Sequence, residues 1–182
     1  MKILYKTIFL IIFSTTISCS LYYEVYDKYN DCKNTSNYKT ITFFLEGENL
    51  NFPVRTYIGK NQKEYQEGLM CRRNLPDNID GMLFEYKTGQ LKGFWMYKTY
   101  IPLNVIYFDK NKNSIQMVNM NKCTRKLFES QNNHQNRCLE ESYSYNPTVP
   151  YFYVLELKNN FKHIDEITSY LEYEKLKLRI KN

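Results

Sequence analysis

The chain has 182 residues, 24% of them charged, and a mean hydropathy of −0.59, which suits one domain with an ordinary core and leaves no room for a second. Its formal charge of +6 includes Lys2 and Lys6, which belong to a leader, and the remaining lysines and glutamates are interspersed. That pattern describes a solvated surface and not the clustered basic footprint of a nucleic-acid-binding protein.

The leader comes first in the chain. Lys2 and Lys6 precede the apolar run Ile8 to Phe13, and Ser14, Thr15 and Thr16 interrupt that run before it could span a bilayer. Residues 1–18 therefore read as a secretory signal peptide. Ile17-Ser18-Cys19 resembles the lipobox of bacterial lipoproteins, with Thr16 in place of the usual aliphatic residue. The resemblance implies that the Cys19 thiol carries diacylglycerol and becomes the new amino terminus, so the membrane is a partner through lipid. Two or more acyl chains, at about 0.8 kcal/mol per buried methylene, make such attachment effectively permanent. Cleavage without lipid and an uncleaved anchor are the alternatives. Export to the cell envelope follows, with the leaflet undetermined.

Residues 19–39 form the lipidated start and a tether rich in Tyr, Asn, Lys and Asp, and residues 40–182 form a β-rich domain. Within it, Ile41 to Leu45 and Phe52 to Ile58 are branched and aromatic runs separated by Gly47, Glu48 and Asn49, as in paired strands. Asn61 to Leu69 permits a short helix stopped near Gly68. Strands are predicted at Met82 to Tyr86, Phe94 to Tyr97, Leu103 to Phe108 and Ser114 to Val118, and Asp109 to Asn113 has hairpin-loop chemistry. Tyr151 to Leu157 and Leu176 to Ile180 are further strands, and Phe161 to Leu171 places apolar residues at helical spacing. The expected fold is mainly β with two short helices, a single compact β-sandwich or barrel-like domain.

Four cysteines follow Cys19, an even number that could pair outside the cytoplasm. Cys123 and Cys138 bracket the polar segment Thr124 to Arg137, which has little reason to be ordered by itself; a bridge there would stabilise by about 3 kcal/mol through loop entropy. Cys32 and Cys71 either pair or leave Cys71 as a buried free thiol. A zinc site is not indicated, because C-x-x-C is absent and His134 and His163 lie far apart in different contexts.

Gly68-Leu69-Met70-Cys71-Arg72-Arg73-Asn74-Leu75-Pro76, Gly81-Met82-Leu83-Phe84, Phe94-Trp95-Met96 and Ile101-Pro102-Leu103-Asn104 occur in order. Together they resemble the family catalogued as domain of unknown function 192, whose pattern runs GLM-x-R-x-LP, GMLF, FWM-x-N-T and IPLD. The resemblance extends from residue 52 to about residue 180. It implies a compact β-sandwich or barrel, often exported, with no established reaction. It also implies pairing of Cys123 with Cys138, since members tend to carry two cysteines in the loop before the tyrosine-containing strand. This chain departs from the pattern at Cys71, where an aromatic is usual, at Lys98, where Asn is usual, and at Asn104, which replaces Asp.

Most of the block reads as scaffold: Gly68 and Gly81 serve backbone conformation, Pro76 and Pro102 restrict turns, and Leu69, Leu83, Phe84 and Phe94 are core. Arg72, Trp95, Lys98, Thr99 and Asn104 remain as candidate ligand-binding residues. Trp95 either packs or forms a platform, and Arg72 either braces carbonyls or receives an anion. The motifs G-x-S-x-G, H-E-x-x-H, the P-loop and G-x-G-x-x-G do not occur. The reading is thus an envelope lipoprotein whose domain binds an unknown protein or small-molecule ligand, with no catalytic residues, cofactor, resident metal or nucleic-acid partner. Two alternatives accompany it. One is an extracytoplasmic enzyme, for which Cys71 and His163 would form the dyad. The other is a Cu(I) or soft-metal protein drawing on Met70, Cys71, Met82, Met96, Met117, Met120 and Cys123.

Overall fold

The computed structural model describes Cys32 and residues 36–180; the expected signal peptide, residues 1–18, and Cys19 lie outside the described residues. Seven strands form one mixed sheet: β1 (Lys39–Glu46), β2 (Asn51–Gly59), β3 (Gly81–Gln90), β4 (Leu103–Phe108), β5 (Ser114–Met120), β6 (Tyr151–Lys158) and β7 (Lys177–Ile180). Their order is β5-β4-β6-β3-β2-β1-β7. Among the described residues β2 and β3 make the one parallel pair, and helix α1 (Gln62–Glu67) lies in the crossover between them.

Each hairpin has a local cause. Phe43 faces Val54 and Leu45 faces Phe52 across β1 and β2, so buried apolar pairs set the register. The β4–β5 loop is closed by Asp109, whose carboxylate accepts from the Asn111 and Asn113 amides at 2.8 and 2.9 Å, while Lys112 takes a left-handed φ of 68°. The two ends of the sheet meet there. Ser114 N–H donates to the Leu176 carbonyl and Leu178 N–H to that of Lys112, yet a single bridge, Asn113 with Lys177, joins the edges, and the sheet is not closed into a barrel.

All six residues of β4 are buried because both sheet faces are covered. Phe43, Val54, Leu83, Ile106, Phe108 and Leu155 pack on one face with Ile167 of α3 (Ile164–Leu171). Met82, Phe84, Leu103, Val105, Tyr107 and Val154 pack on the other, under residues 91–102 and α2 (Gln131–Ser142). Tyr38, within the expected tether, belongs to this second cluster, and β1 begins at Lys39.

Two expectations fail. Phe94 to Tyr97 is not a strand: Met96 and Tyr97 are consecutive and both buried, so the aromatic run covers the sheet as an irregular segment and does not pair within it. The polar stretch after Cys123 is not structureless, because α2 makes a third helix among the described residues, capped by the Ser130 hydroxyl accepting from Asn133 N–H at 3.2 Å. Its inward residues are His134, Cys138 and Ser142, so no apolar period announces it.

Candidate functional site

The segment 91–102 is held by one strand residue and two loops. Tyr151 donates its hydroxyl to the Lys92 carbonyl, Gly93 N–H donates to Asn146 Oδ1 at 2.6 Å, and Cys71 N–H donates to the Lys98 carbonyl at 2.8 Å. The last contact brings the two family fragments around Arg72 and Trp95 together.

Arg72 is a brace. Its guanidinium carbon lies 5.2 and 5.0 Å from the ring centroids of Tyr38 and Tyr57, and Nη2 donates to the Ser36 carbonyl at 3.4 Å. The buried Nε has no hydrogen-bond partner. Cys71 beside it is bonded to Cys32, with Cα atoms 5.3 Å apart, so Cys71 is not a free thiol. His163 lies against Phe52, rings stacked at 4.3 Å, and its Nδ1 pairs with Glu166. The Cys71–His163 dyad therefore does not form: a disulfide removes the nucleophile, and the imidazole is committed elsewhere.

Trp95, Tyr97 and Lys98 adjoin α2. Trp95 is half-buried with its ring 5.2 Å from that of Tyr97, and Lys98 Nζ lies 5.4 Å from the Tyr97 centroid. Tyr97 in turn packs 5.2 Å from the His134 ring and accepts from Gln131 Nε2 at 3.3 Å. Thr99 is buried, its N–H donating to the Met96 carbonyl at 3.1 Å. Asn104 is apart from these four. It shares the β4 face of Ile106 and Phe108 and lines a shallow recess of about 310 Å³ with Met117, Asn119, Thr168, Leu171 and Glu172.

Cys123 and Cys138 are joined, S–S 2.06 Å. His134 sits against them, its Nε2 2.8 Å from the Cys123 carbonyl oxygen. Arg137 donates through Nη1 to Cys123 Sγ at 3.1 Å and through Nη2 to the Thr124 carbonyl at 2.7 Å. The guanidinium is fixed by Glu129, at 2.9 Å through both Nε and Nη2, and by Glu141 at 2.8 Å. That bond holds the Glu129 carboxyl well below the usual range, at about 2. The role of His134 escapes a reading that looks for C-x-x-C; the signal was H-x-x-x-C, which puts both side chains on one helix face. The methionines of the soft-metal alternative are dispersed over both faces, with Met82, Met96 and Met120 on one and Met117 on the other.

One buried acid has no sequence signature. Glu156 in β6 lies on the face of Val154, between its register partners Met82 of β3 and Val105 of β4, with Oε2 buried and without a hydrogen-bond partner, and burial pushes its carboxyl up to about 8. Tyr86 and Tyr107 nearby are raised above the ordinary phenol value by burial first and then by the charges of Tyr151 and Glu156.

No curated protein matches the chain. Two solved structures share the fold. One is a "putative transcription regulator" from Sinorhizobium meliloti 1021, 16% identical, TM-score 0.58, covering 81% of this chain and 98% of its own. The other is a protein of unknown function from Novosphingobium aromaticivorans DSM 12444, 18% identical, TM-score 0.54, covering 85% and 96%. The sequence pattern of one family, described as DUF192, "Uncharacterized ACR", spans residues 45–168, most of the described domain, and takes in every fragment of the block built around Gly68, Gly81, Trp95 and Pro102. The chain belongs to the DUF192 family.

Proposed function

We propose that this chain is an exported, lipid-anchored cell-envelope protein whose folded domain is a non-catalytic binding module. The observation that carries the reading is that all four cysteines after Cys19 are joined in two bridges, Cys32 with Cys71 and Cys123 with Cys138, an arrangement suited to an oxidising compartment. The basic and apolar leader, residues 1–18, that precedes Cys19 supports the same address. The binding surface is the ridge of Trp95 and Lys98 beside the Arg72 brace, where a half-exposed aromatic and a cation stand together on a fixed loop.

Metabolic labelling with an alkynyl palmitate in the native host tests the anchor. The wild-type chain should incorporate label and Cys19→Ala should not; recovery of unlabelled chain retaining Met1 from the cytosol defeats the proposal. A photo-crosslinking residue at position 98 should give a discrete adduct in cells, whereas one at the exposed position 160 should not. Identical patterns at both positions would remove the binding surface.

A further inference from the structure

Cys123, His134 and Cys138 are all buried, and each offers one ligand atom within 4.8 Å of the others. We propose that reduction of the Cys123–Cys138 bridge turns this cluster into a three-coordinate Cu(I) site, two thiolates and one imidazole. The inference goes beyond the binding-module reading, at a site distinct from the Trp95–Lys98 surface, and its test reads the metal directly and does not depend on the lipid anchor.

The chemistry of the donors selects the ion. Thiolates are soft and imidazole is borderline, a set that suits monovalent copper and zinc alike, but a structural zinc site demands four ligands. The cluster holds three His and Cys donors, and their burial keeps water from serving as a fourth. Copper(I) accepts the lower number.

The frame is already in place around the bridge. His134 and Cys138 are one helical turn apart on the same face of α2, which is capped by Ser130, and Cys123 arrives from the segment after β5. The contact of His134 Nε2 with the Cys123 carbonyl orients the ring, as outer hydrogen bonds do at metal sites, and the Tyr97 ring packs against it. Two thiolates and Cu(I) sum to a charge of −1. Arg137 supplies a charged N–H donor 3.1 Å from Cys123 Sγ, while Glu129 and Glu141 hold the guanidinium in place.

The conversion balances with a dithiol as reductant. Two electrons and two protons enter the Sγ–Sγ bond and give two thiols, while the dithiol becomes a disulfide. Cu(I) then displaces both thiol protons as the two Cu–S bonds form.

The full chain, purified anaerobically in detergent, is compared before and after reduction by dithiothreitol and desalting, with Cu(I) offered as its bicinchoninate complex. The reduced protein should withdraw one equivalent of copper and the oxidised protein none. X-ray absorption of the loaded protein should show two sulfurs and one nitrogen around copper. His134→Gln, which removes a ligand, should weaken uptake by more than the roughly 10- to 100-fold that losing an outer contact costs, and Cys138→Ser should abolish it. Reduced wild-type protein that keeps its circular dichroism but takes no copper overturns the proposal. So does full uptake by Cys138→Ser, which would assign the metal to other sulfurs, or a first shell lacking nitrogen.

Discussion

The amide of Cys71 donates to the carbonyl of Lys98 at 2.8 Å, and both residues have left-handed backbones, with φ of 65° and 54°. An L-residue with a β-carbon is strained there by about 1–2 kcal/mol, and Asn bears it best after Gly. The Asn usual at the second position is thus explained by its backbone. Lys98→Asn should relieve part of the strain, less the contact of Lys98 Nζ with the Tyr97 ring, and raise the melting temperature by about 2 °C. Lys98→Val, β-branched and intolerant of this φ, should lower it by more than that. A scan in which Val melts above Asn would refute the backbone explanation.

Gly81 begins the GMLF fragment at a close approach of two strands. A β-carbon there would lie 1.7 Å from the Glu156 carbonyl oxygen, inside any tolerable contact, and the obstacle is backbone of a central strand. Gly81→Ala should cost more than about 4 kcal/mol and abolish soluble, folded protein. Gly89→Ala is the control, meeting Pro150 Cβ at 3.2 Å at the exposed end of the same strand. Equal yields of the two variants would contradict the packing described.

Glu156 makes stability depend on pH. Its carboxyl titrates at about 8 in the folded chain and near the ordinary value of 4.5 when unfolded, so the folded state binds the extra proton between those values. Stability from this group is therefore complete below pH 4.5, falls as pH rises toward 8, and is flat beyond. The loss is on the order of a few kcal/mol. Glu156→Gln should flatten this part of the profile and stabilise the protein most at alkaline pH, as read by urea denaturation across the range. A Gln variant with the wild-type slope would assign the dependence elsewhere.

Much of the sheet was legible because its strands are short runs of branched and aromatic residues bounded by Gly, Asn or Asp, as in Phe52 to Ile58 and Leu103 to Phe108. The failures share a physical cause. Phe94 to Tyr97 looks like a strand because a covering loop needs the same aromatics that a strand does. Helix α2 was invisible because it buries a histidine and a cysteine, so its inward stripe is not apolar. The pairing of Cys32 with Cys71 could not be read from spacing, since it depends on Ser36 and Tyr38 docking against Glu67 and Gly68. Among the candidate residues, proximity of Arg72 to the Trp95 segment follows from one backbone bond, and the separation of Asn104 follows from the alternation of β4. His134 joined the site only once the helix was known.

The two bridges should differ in what they contribute. Cys32 and Cys71 are 39 residues apart and Cys123 and Cys138 are 15 apart. In the chain-entropy model the larger loop restrains the unfolded chain by about 0.8 kcal/mol more, on a total near 4 kcal/mol. The wider loop also carries β1, β2 and α1, whereas the narrower one carries only the first part of α2. Cys32→Ser with Cys71→Ser should therefore lower the unfolding free energy in urea further than Cys123→Ser with Cys138→Ser, each with a larger m-value because the unbridged unfolded chain expands. Non-reducing peptide mapping of each variant should recover the surviving bridge intact. A reversed order of free energies would mean that His134 and Arg137, left without their sulfur framework, destabilise the core more than loop entropy does.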